Sequence, residues 1–212
     1  MTSGPFCKII ERYRPERKKE SGLKGISQMR VTTGTARGRN LAAPPDSNIT
    51  RPTSDMTKQA IFNIIQFEVE GAVVADLYAG SGQLGIEALS RGARRATFVE
   101  INAGAMDTIV QNLKTSDMTG RARIMRMDVD AYLARNQDTY DIAFLDPPYE
   151  QGKYEGTLPL VVQRMNPGGV ILCETSKEEI LPDEVGDFCK QKEYRYGRAK
   201  LTVYRRKETE EE

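Results

Sequence analysis

An α/β fold with a mostly parallel sheet and helices on both faces is the architecture that the sequence predicts. From about residue 73 onward, short apolar runs alternate with helix-forming stretches, which is typical of repeated strand–helix units. A glycine-rich loop follows the first apolar run, as is common where a strand turns into a helix. Two β-prone stretches close the chain and predict an antiparallel pair at one edge, which brings the expected sheet to seven strands.

The N-terminal part precedes this alternation. Residues 1–28 are charged, proline-interrupted and without periodicity, so a disordered extension is expected there. The β-prone pieces Arg30–Thr33 and Arg39–Ala42 flank two glycines and predict a short hairpin. A helix is then predicted to begin at Thr53 or Ser54. It is expected to run through residue 67, with an apolar face formed by Ile61, Ile64, Ile65 and Phe67.

Strands and helices then alternate to the end of the chain. Strands are predicted at Val73–Asp76, Ala96–Glu100, Ala122–Met127, Tyr140–Leu145 and Gly169–Glu174, with a closing pair between Tyr194 and Arg206. Helices are predicted at Gln83–Ser90, Ala103–Lys114, a short piece after Asp128, and Lys153–Met165. Because parallel strands end at one edge of a sheet, the loops after them are predicted to meet in one crevice, the usual ligand site of open α/β folds.

Composition excludes several kinds of site. The chain has no histidine, which excludes Ser-His-Asp triads and ordinary zinc sites, so no metal is expected. Its three cysteines are odd in number and widely spaced, which indicates no disulfide framework and fits a cytoplasmic location. No apolar run approaches the length of about 18 residues that a membrane span needs.

The basic residues are concentrated near the N-terminus. Residues 1–60 hold 12 Lys and Arg against 5 Asp and Glu, whereas residues 61–212 hold 19 against 25. This asymmetry predicts an anionic partner for the N-terminal part, and a solvated basic tail is the alternative.

The loop after the first strand indicates a ligand that carries a cationic group. Glycines at positions 80 and 82 allow a ligand to approach the backbone at the mouth of the next helix. Such a loop alone is a weak signal. Asp76 comes directly before it, where a dinucleotide site facing a pyrophosphate needs no acid. The expected ligand-binding residues of this loop are Asp76, Ala79, Gly80, Ser81 and Gly82.

Two further acids follow the second and third strands. Glu100 is placed to accept hydrogen bonds from ribose hydroxyls, and Asp128 to accept one from an adenine amino group. Helix capping is the alternative for each acid taken singly. Three acids at three successive strand ends, beside a double-glycine loop, together predict an S-adenosylmethionine pocket.

The fourth strand ends in Asp146-Pro147-Pro148-Tyr149. The two prolines fix the backbone, so that the carboxylate of Asp146 and the carbonyl of Pro147 can face one spot. These acceptors match the two N–H groups of an exocyclic amine on a base, and Tyr149 offers a ring for stacking. A rigid turn after a strand is the alternative explanation for this motif.

These motifs and their flanks resemble the RsmD family of bacterial small-subunit ribosomal RNA (guanine-N2)-methyltransferases. The resemblance rests on the segments 76–92 and 146–149 and on three N-terminal segments, Arg37–Leu41, Arg51–Asp55 and Ala60–Asn63. It implies a Rossmann-like class I methyltransferase with an N-terminal hairpin and helix. It also implies S-adenosylmethionine as the cofactor and a 16S ribosomal RNA guanine as the target, within a small-subunit particle, for an enzyme that acts as a monomer.

The resemblance also assigns roles along the chain. Asp146, Pro147, Pro148 and Tyr149 would hold and deprotonate the target amine, with no strong base needed before transfer. The implied segments are an extension at 1–28, an RNA-contacting block at 29–70, the methyltransferase domain at 71–206 and an acidic tail at 207–212. The expected phosphate contacts are Arg30, Arg37, Arg39, Arg51 and Lys58.

Other functions remain open from the sequence. Asp-Pro-Pro-Tyr fits an adenine-N6 methyltransferase on DNA or RNA equally well, although the chain lacks a separate target-recognition domain. A non-catalytic RNA-binding module with a vestigial cofactor site is the alternative of another class. A dehydrogenase is a weaker alternative, because Asp76 and the Asp-Pro-Pro-Tyr motif would then have no explanation.

Overall fold

The computed structural model describes residues 29–45, 55–147, 152–197 and 199–207. The helices are α1 (Asp55–Ile64), α2 (Gln83–Ser90), α3 (Ala103–Ser116), α4 (Val129–Arg135) and α5 (Lys153–Val162). The strands are β1 (Val73–Leu77), β2 (Arg95–Glu100), β3 (Ala122–Arg126), β4 (Tyr140–Leu145), β5 (Met165–Ser176), β6 (Glu184–Val185), β7 (Phe188–Tyr196) and β8 (Ala199–Arg206). In this part of the chain, no helix is long and apolar enough to cross a membrane.

One sheet joins the eight strands in the order β3-β2-β1-β4-β5-β8-β7-β6. The pairs among β1 to β5 are parallel, and β8 lies antiparallel between β5 and β7. The predicted fold class is therefore confirmed, with the two-residue β6 as one strand more than the sequence predicted. The chain order reverses between β1 and β4, so the crevice of an open α/β sheet opens at the carboxyl ends of these two strands.

Helices cover both faces of the sheet because successive apolar side chains of the parallel strands point to opposite faces. In β1, Val74 packs in one core with residues of α1, α2 and α3, whereas Val73 and Ala75 pack in a second core with residues of α4 and α5. Strands buried on both faces become continuous apolar runs, and every residue of β1 is buried.

The N-terminal segment is attached to α2. An antiparallel bridge joins Arg30 to Asn40, which is the expected hairpin in minimal form. The buried carboxylate of Glu87 accepts hydrogen bonds from the backbone N–H groups of Thr32, at 2.8 Å, and Thr33, at 3.0 Å. Gly34 has a φ of +85°, and a Cβ there would lie 1.8 Å from the carbonyl oxygen of Ser90, so only glycine fits this approach.

Four predicted boundaries are displaced by three residues or more. Helix α1 ends at Ile64, and Phe67 lies in the following turn with 91% of its surface exposed, outside the apolar face. Helix α5 ends at Val162 because Met165 already pairs with Tyr140 of β4, which makes β5 longer than expected. The closing antiparallel pair, β7 and β8, begins at Phe188 rather than at Tyr194. The predicted capping residues of α1, at positions 53 and 54, lie outside the described residues.

Candidate functional site

The carboxyl ends of four strands lie level with one another. Leu77 of β1 pairs with Val99 of β2 and with Leu145 of β4, and Glu100 pairs with Arg126 of β3. The loops that follow these strands therefore share one edge of the sheet. The structure thus brings together the glycine loop, the acids at 100 and 128, and the start of the Asp-Pro-Pro-Tyr motif.

The glycine loop is a tight turn with left-handed backbone. Tyr78, Gly80 and Gly82 have φ values of 63°, 54° and 75°. The N–H of Gly82 donates to the carbonyl of Ala79 at 2.7 Å. A Cβ at Gly82 would approach Phe98 and Ile109 at 3.3 Å. Glycine at this position therefore lets the loop lie flat against the core without strain, which leaves its outer side for a ligand.

Asp76 is a buried carboxylate beneath this loop. The N–H of Gly85 donates to its Oδ2 at 2.8 Å. Burial raises the pKa of Asp76 to about 7; the Gly85 hydrogen bond opposes this shift and the charge of Glu100 adds to it. A cation bound nearby would favour the ionised form. Gly85 is itself required, since a Cβ there would lie 2.4 Å from the Phe98 ring.

Glu100 links the glycine loop to α3. Its Oε2 accepts from the N–H of Gly80 at 2.9 Å, and its Oε1 accepts from the N–H of Asn102 at 2.8 Å. Asn102 in turn caps α3 by accepting from the N–H of Ala105 at 3.0 Å. A carboxylate has about four acceptor sites, so Glu100 can fix the loop and still accept from a ligand.

Asp128 caps α4, which is the alternative role that the sequence left open for each of these acids. Its Oδ1 accepts from the N–H of Ala131 at 3.0 Å, and the residue is exposed. Ile101, which the sequence analysis did not single out, exposes 64% of its surface directly after Glu100. An exposed apolar side chain directly after Glu100 gives this part of the edge a surface suited to a flat ring.

A hydrogen-bonded chain holds the loop from the other side of the sheet. The hydroxyl of Thr157 donates its single proton to Asp130 at 2.5 Å. It must therefore accept from the hydroxyl of Tyr78, which lies 2.9 Å away. Burial, chiefly, raises the pKa of Tyr78 to about 12, which keeps this donor protonated. Nothing in the sequence indicated these hydrogen bonds, because the three side chains that form them come from three different elements.

Asn112 joins the glycine loop to the N-terminal segment. Its amide nitrogen donates to the carbonyls of Ser81, at 2.9 Å, and Ala42, at 3.0 Å, while its Oδ1 accepts from the N–H of Ala42 at 2.7 Å. The role of this residue was not predicted from the sequence. An asparagine between Ile109 and Leu113 on the apolar side of α3 was the available signal, since a buried amide needs partners.

Asp146 and Pro147 follow β4 at the same edge. Asp146 is half-buried and Pro147 is buried. The hydroxyl of Tyr154 lies 2.6 Å from the carbonyl of Glu174 and 3.1 Å from that of Leu145, so it ties the ends of β4 and β5 together. Burial, with the charge of Asp146 among lesser causes, holds the pKa of Tyr154 well above its ordinary value. Pro148 and Tyr149 lie outside the described residues.

The expected phosphate contacts divide into two groups. Arg30, Arg37 and Arg39 are exposed, and Arg30 lies 3.7 Å from Asp55. Lys58 is a correction: it is fully buried, and its ammonium donates to the carbonyl of Arg30 at 2.5 Å. Its charge is balanced within the protein by Asp55 and Glu87, so it does not face a phosphate. Arg51 lies outside the described residues.

Comparison with known proteins identifies relatives along most of the chain. Residues 29–205 match the family described as Conserved hypothetical protein 95. The Bacillus subtilis protein YlbH is 38% identical over 84% of this chain and all of its own length. Ribosomal RNA small subunit methyltransferase D of Escherichia coli is 32% identical over 89% of this chain and 95% of its own.

A solved structure agrees with these matches. The yhhF methyltransferase structure from Escherichia coli superimposes with a TM-score of 0.75 at 30% identity, covering 86% of this chain and 100% of that one. The family match begins at Met29 and ends one residue before the last residue of β8, Arg206.

Proposed function

The chain belongs to the RsmD family, described as Conserved hypothetical protein 95, and on that premise we propose that it methylates the exocyclic N2 of a guanine in small-subunit (16S) ribosomal RNA, with S-adenosylmethionine as the methyl donor. The observation that carries the proposal is the position of Asp76. A buried carboxylate with a pKa near 7 lies under a glycine loop, at the same edge as Asp146 and Pro147.

The residues of this edge fit S-adenosylmethionine. When bound, the cofactor supplies a methyl group made electrophilic by a sulfonium. Asp76 and the glycine loop are suited to its cationic amino acid part, because a cation stabilises the ionised carboxylate. Glu100 has acceptor capacity left for the ribose, and Ile101 offers an apolar surface for the adenine. Asp128 caps α4 with Oδ1, and its exposure leaves it open to the adenine amino group.

Asp146 and Pro147 are assigned to the target amine. The carboxylate and the carbonyl accept the two amine hydrogens, which turns the nitrogen lone pair toward the methyl donor. After transfer, the amine loses one proton to Asp146 or to water. The guanine must be unpaired or flipped to reach this edge, and we assign Tyr149 to stack on it.

The proposed partner is ribosomal RNA within a small-subunit particle, met by a monomer of this protein in the cytoplasm. Three exposed arginines, Arg30, Arg37 and Arg39, are assigned to its phosphates, together with Arg51. The N-terminal segment that carries the first three is bonded to α2 through Glu87, so these charges keep a fixed position relative to the sheet.

The test is methylation of small-subunit particles from a strain that lacks the corresponding gene. Nucleoside mass spectrometry of the digested RNA is expected to show N2-methylguanosine. Appearance of N6-methyladenosine instead would assign the chain to adenine methylation. Absence of any methylated product, together with no S-adenosylmethionine binding by calorimetry, would favour a non-catalytic RNA-binding protein.

A further inference from the structure

Two tyrosines lie side by side at the tip of the β7–β8 hairpin. The rings of Tyr194 and Tyr196 have centroids 6.4 Å apart and planes 14° from parallel. They are two residues apart on one strand, so both face the same side of the sheet. Each is half-buried, with its base packed on the core that includes Leu201. The pair is therefore a fixed, partly exposed aromatic surface.

This surface lies at the edge that carries Asp146. The β4–β5 register places Asp146 level with Glu174, Glu174 pairs with Leu201, and Leu201 pairs with Tyr194. The two tyrosines are thus three strand spacings from the strand of Asp146, or about 14 Å at about 4.8 Å per spacing. That distance is too long for a contact with the target base and suits a nucleotide farther along the same strand of RNA.

The charge around the tyrosines favours a polyanion. The ammonium of Lys192 lies 5.0 Å from the ring centroid of Tyr194. Lys192 and Arg195 are exposed on either side of Tyr194, whereas Lys190 and Lys200 are already paired with carboxylates of the protein. Alternating basic and aromatic residues at a strand tip match the way single-stranded nucleic acids are bound, by phosphate contacts and base stacking. A protein partner would not require this charge.

We propose that Tyr194 and Tyr196 form a stacking platform for an unpaired nucleobase of the RNA strand that carries the target, at a position flanking the methylated nucleotide. The inference rests on the proposed function, since it takes Asp146 to mark the target. The platform adds a second point of attachment for the RNA, on the opposite flank of the site from the basic N-terminal segment. Sequence-specific RNA recognition commonly uses such aromatic platforms for splayed bases.

Paired variants separate stacking from other roles of these residues. Tyr194→Leu with Tyr196→Leu keeps apolar bulk on the core but removes the flat rings, whereas Tyr194→Phe with Tyr196→Phe keeps the rings and removes the hydroxyls. Phe67→Ala is the matched control, because it deletes an exposed ring at the opposite edge of the sheet. The probe is a fluorescein-labelled oligoadenylate strand, measured by anisotropy, alongside KM and kcat on small-subunit particles.

The leucine variant is expected to bind the oligoadenylate roughly 5- to 150-fold more weakly, the range for loss of one base stack, and to raise KM with kcat and cofactor affinity retained. The phenylalanine variant is expected to recover binding, and Phe67→Ala to match the parent. Unchanged oligoadenylate binding by the leucine variant overturns the proposal. So does an equal loss in the phenylalanine variant, which would indicate hydroxyl contacts, or a loss seen only on particles, which would indicate a protein partner. If the parent binds oligoadenylate through the tyrosines but methylates no RNA, the platform stands and the methyltransferase assignment fails.

Discussion

Replacing Asp76 with asparagine is expected to stabilise the ligand-free protein above neutral pH and to remove its affinity for S-adenosylmethionine. The Asp76 carboxylate is buried, and its pKa rises from 3.8 to about 7 on folding. Between these values the folded protein holds a proton that the unfolded chain has lost. The free energy of unfolding therefore falls as the pH rises through this window.

The magnitude follows from the size of the shift. A rise of about three pKa units at about 1.4 kcal/mol per unit gives about 4 kcal/mol of stability. This contribution is fully present below pH 3.8 and is lost as the pH rises through about 7. Asparagine at position 76 keeps an oxygen that can accept from the N–H of Gly85 and carries no charge, so the variant avoids this loss.

Urea unfolding at several values between pH 5 and pH 8 measures the effect. The difference in unfolding free energy between variant and parent is expected to grow with pH and to level off above 7. Asp107→Asn, at an exposed position of α3, controls for removal of one negative charge. In parallel, calorimetry is expected to show loss of cofactor binding in Asp76→Asn. Stability curves that run parallel with pH, or a variant that binds the cofactor like the parent, would refute the reasoning.

Four further outcomes are expected. Asp146→Asn should abolish methyl transfer while calorimetry shows cofactor binding retained; near-normal turnover would remove Asp146 from the reaction. Glu100→Ala should weaken cofactor binding by about 1.5–3 kcal/mol, and unchanged affinity would show that Glu100 serves only the loop and α3. Replacing Arg37 and Arg39 with alanine should flatten the salt dependence of RNA binding by about 0.7–0.9 units of slope per lost phosphate contact, and identical slopes would contradict their role. Asn112→Ala should destabilise the protein by about 3 kcal/mol or more in urea, because three backbone groups lose a buried partner, whereas a loss below about 1 kcal/mol would show that water replaces the amide.

The features that the sequence predicted well are those set by local periodicity. Helix α2 and strand β4 have the predicted boundaries, because an apolar run or a periodic apolar face defines each of them. The convergence of Asp76, Glu100 and Asp146 also followed from the sequence, since parallel strands share a carboxyl edge. No tertiary contact was needed for that inference.

The features that the sequence did not predict depend on partners distant along the chain. Lys58 was expected at the surface, but Glu87, 29 residues away, and the carbonyl of Arg30 provide it with a buried site. A cationic ligand beside Asp76 was predicted from the sequence. The raised pKa of Asp76 was not, because it depends on the burial of the carboxylate by the residues packed around it. The position of Tyr194 level with Asp146 depends on the register of three strand pairs, of which β4–β5 and β5–β8 join residues far apart in sequence.

The two flanks of the site suggest one path for the RNA. On one flank, Asn112 ties the N-terminal segment to the glycine loop through Ala42 and Ser81, so the basic hairpin is held beside that loop. On the other flank, the β5–β8–β7 register holds the tyrosine pair beyond β5. Asp146 lies between them on β4. An RNA strand that contacts both flanks would therefore cross the carboxyl edge of the sheet at Asp146, to which we assign the target amine. Weakening either flank should then raise KM for RNA and leave cofactor affinity unchanged, and a variant of both flanks should show losses that multiply, because the two contacts are independent and distant.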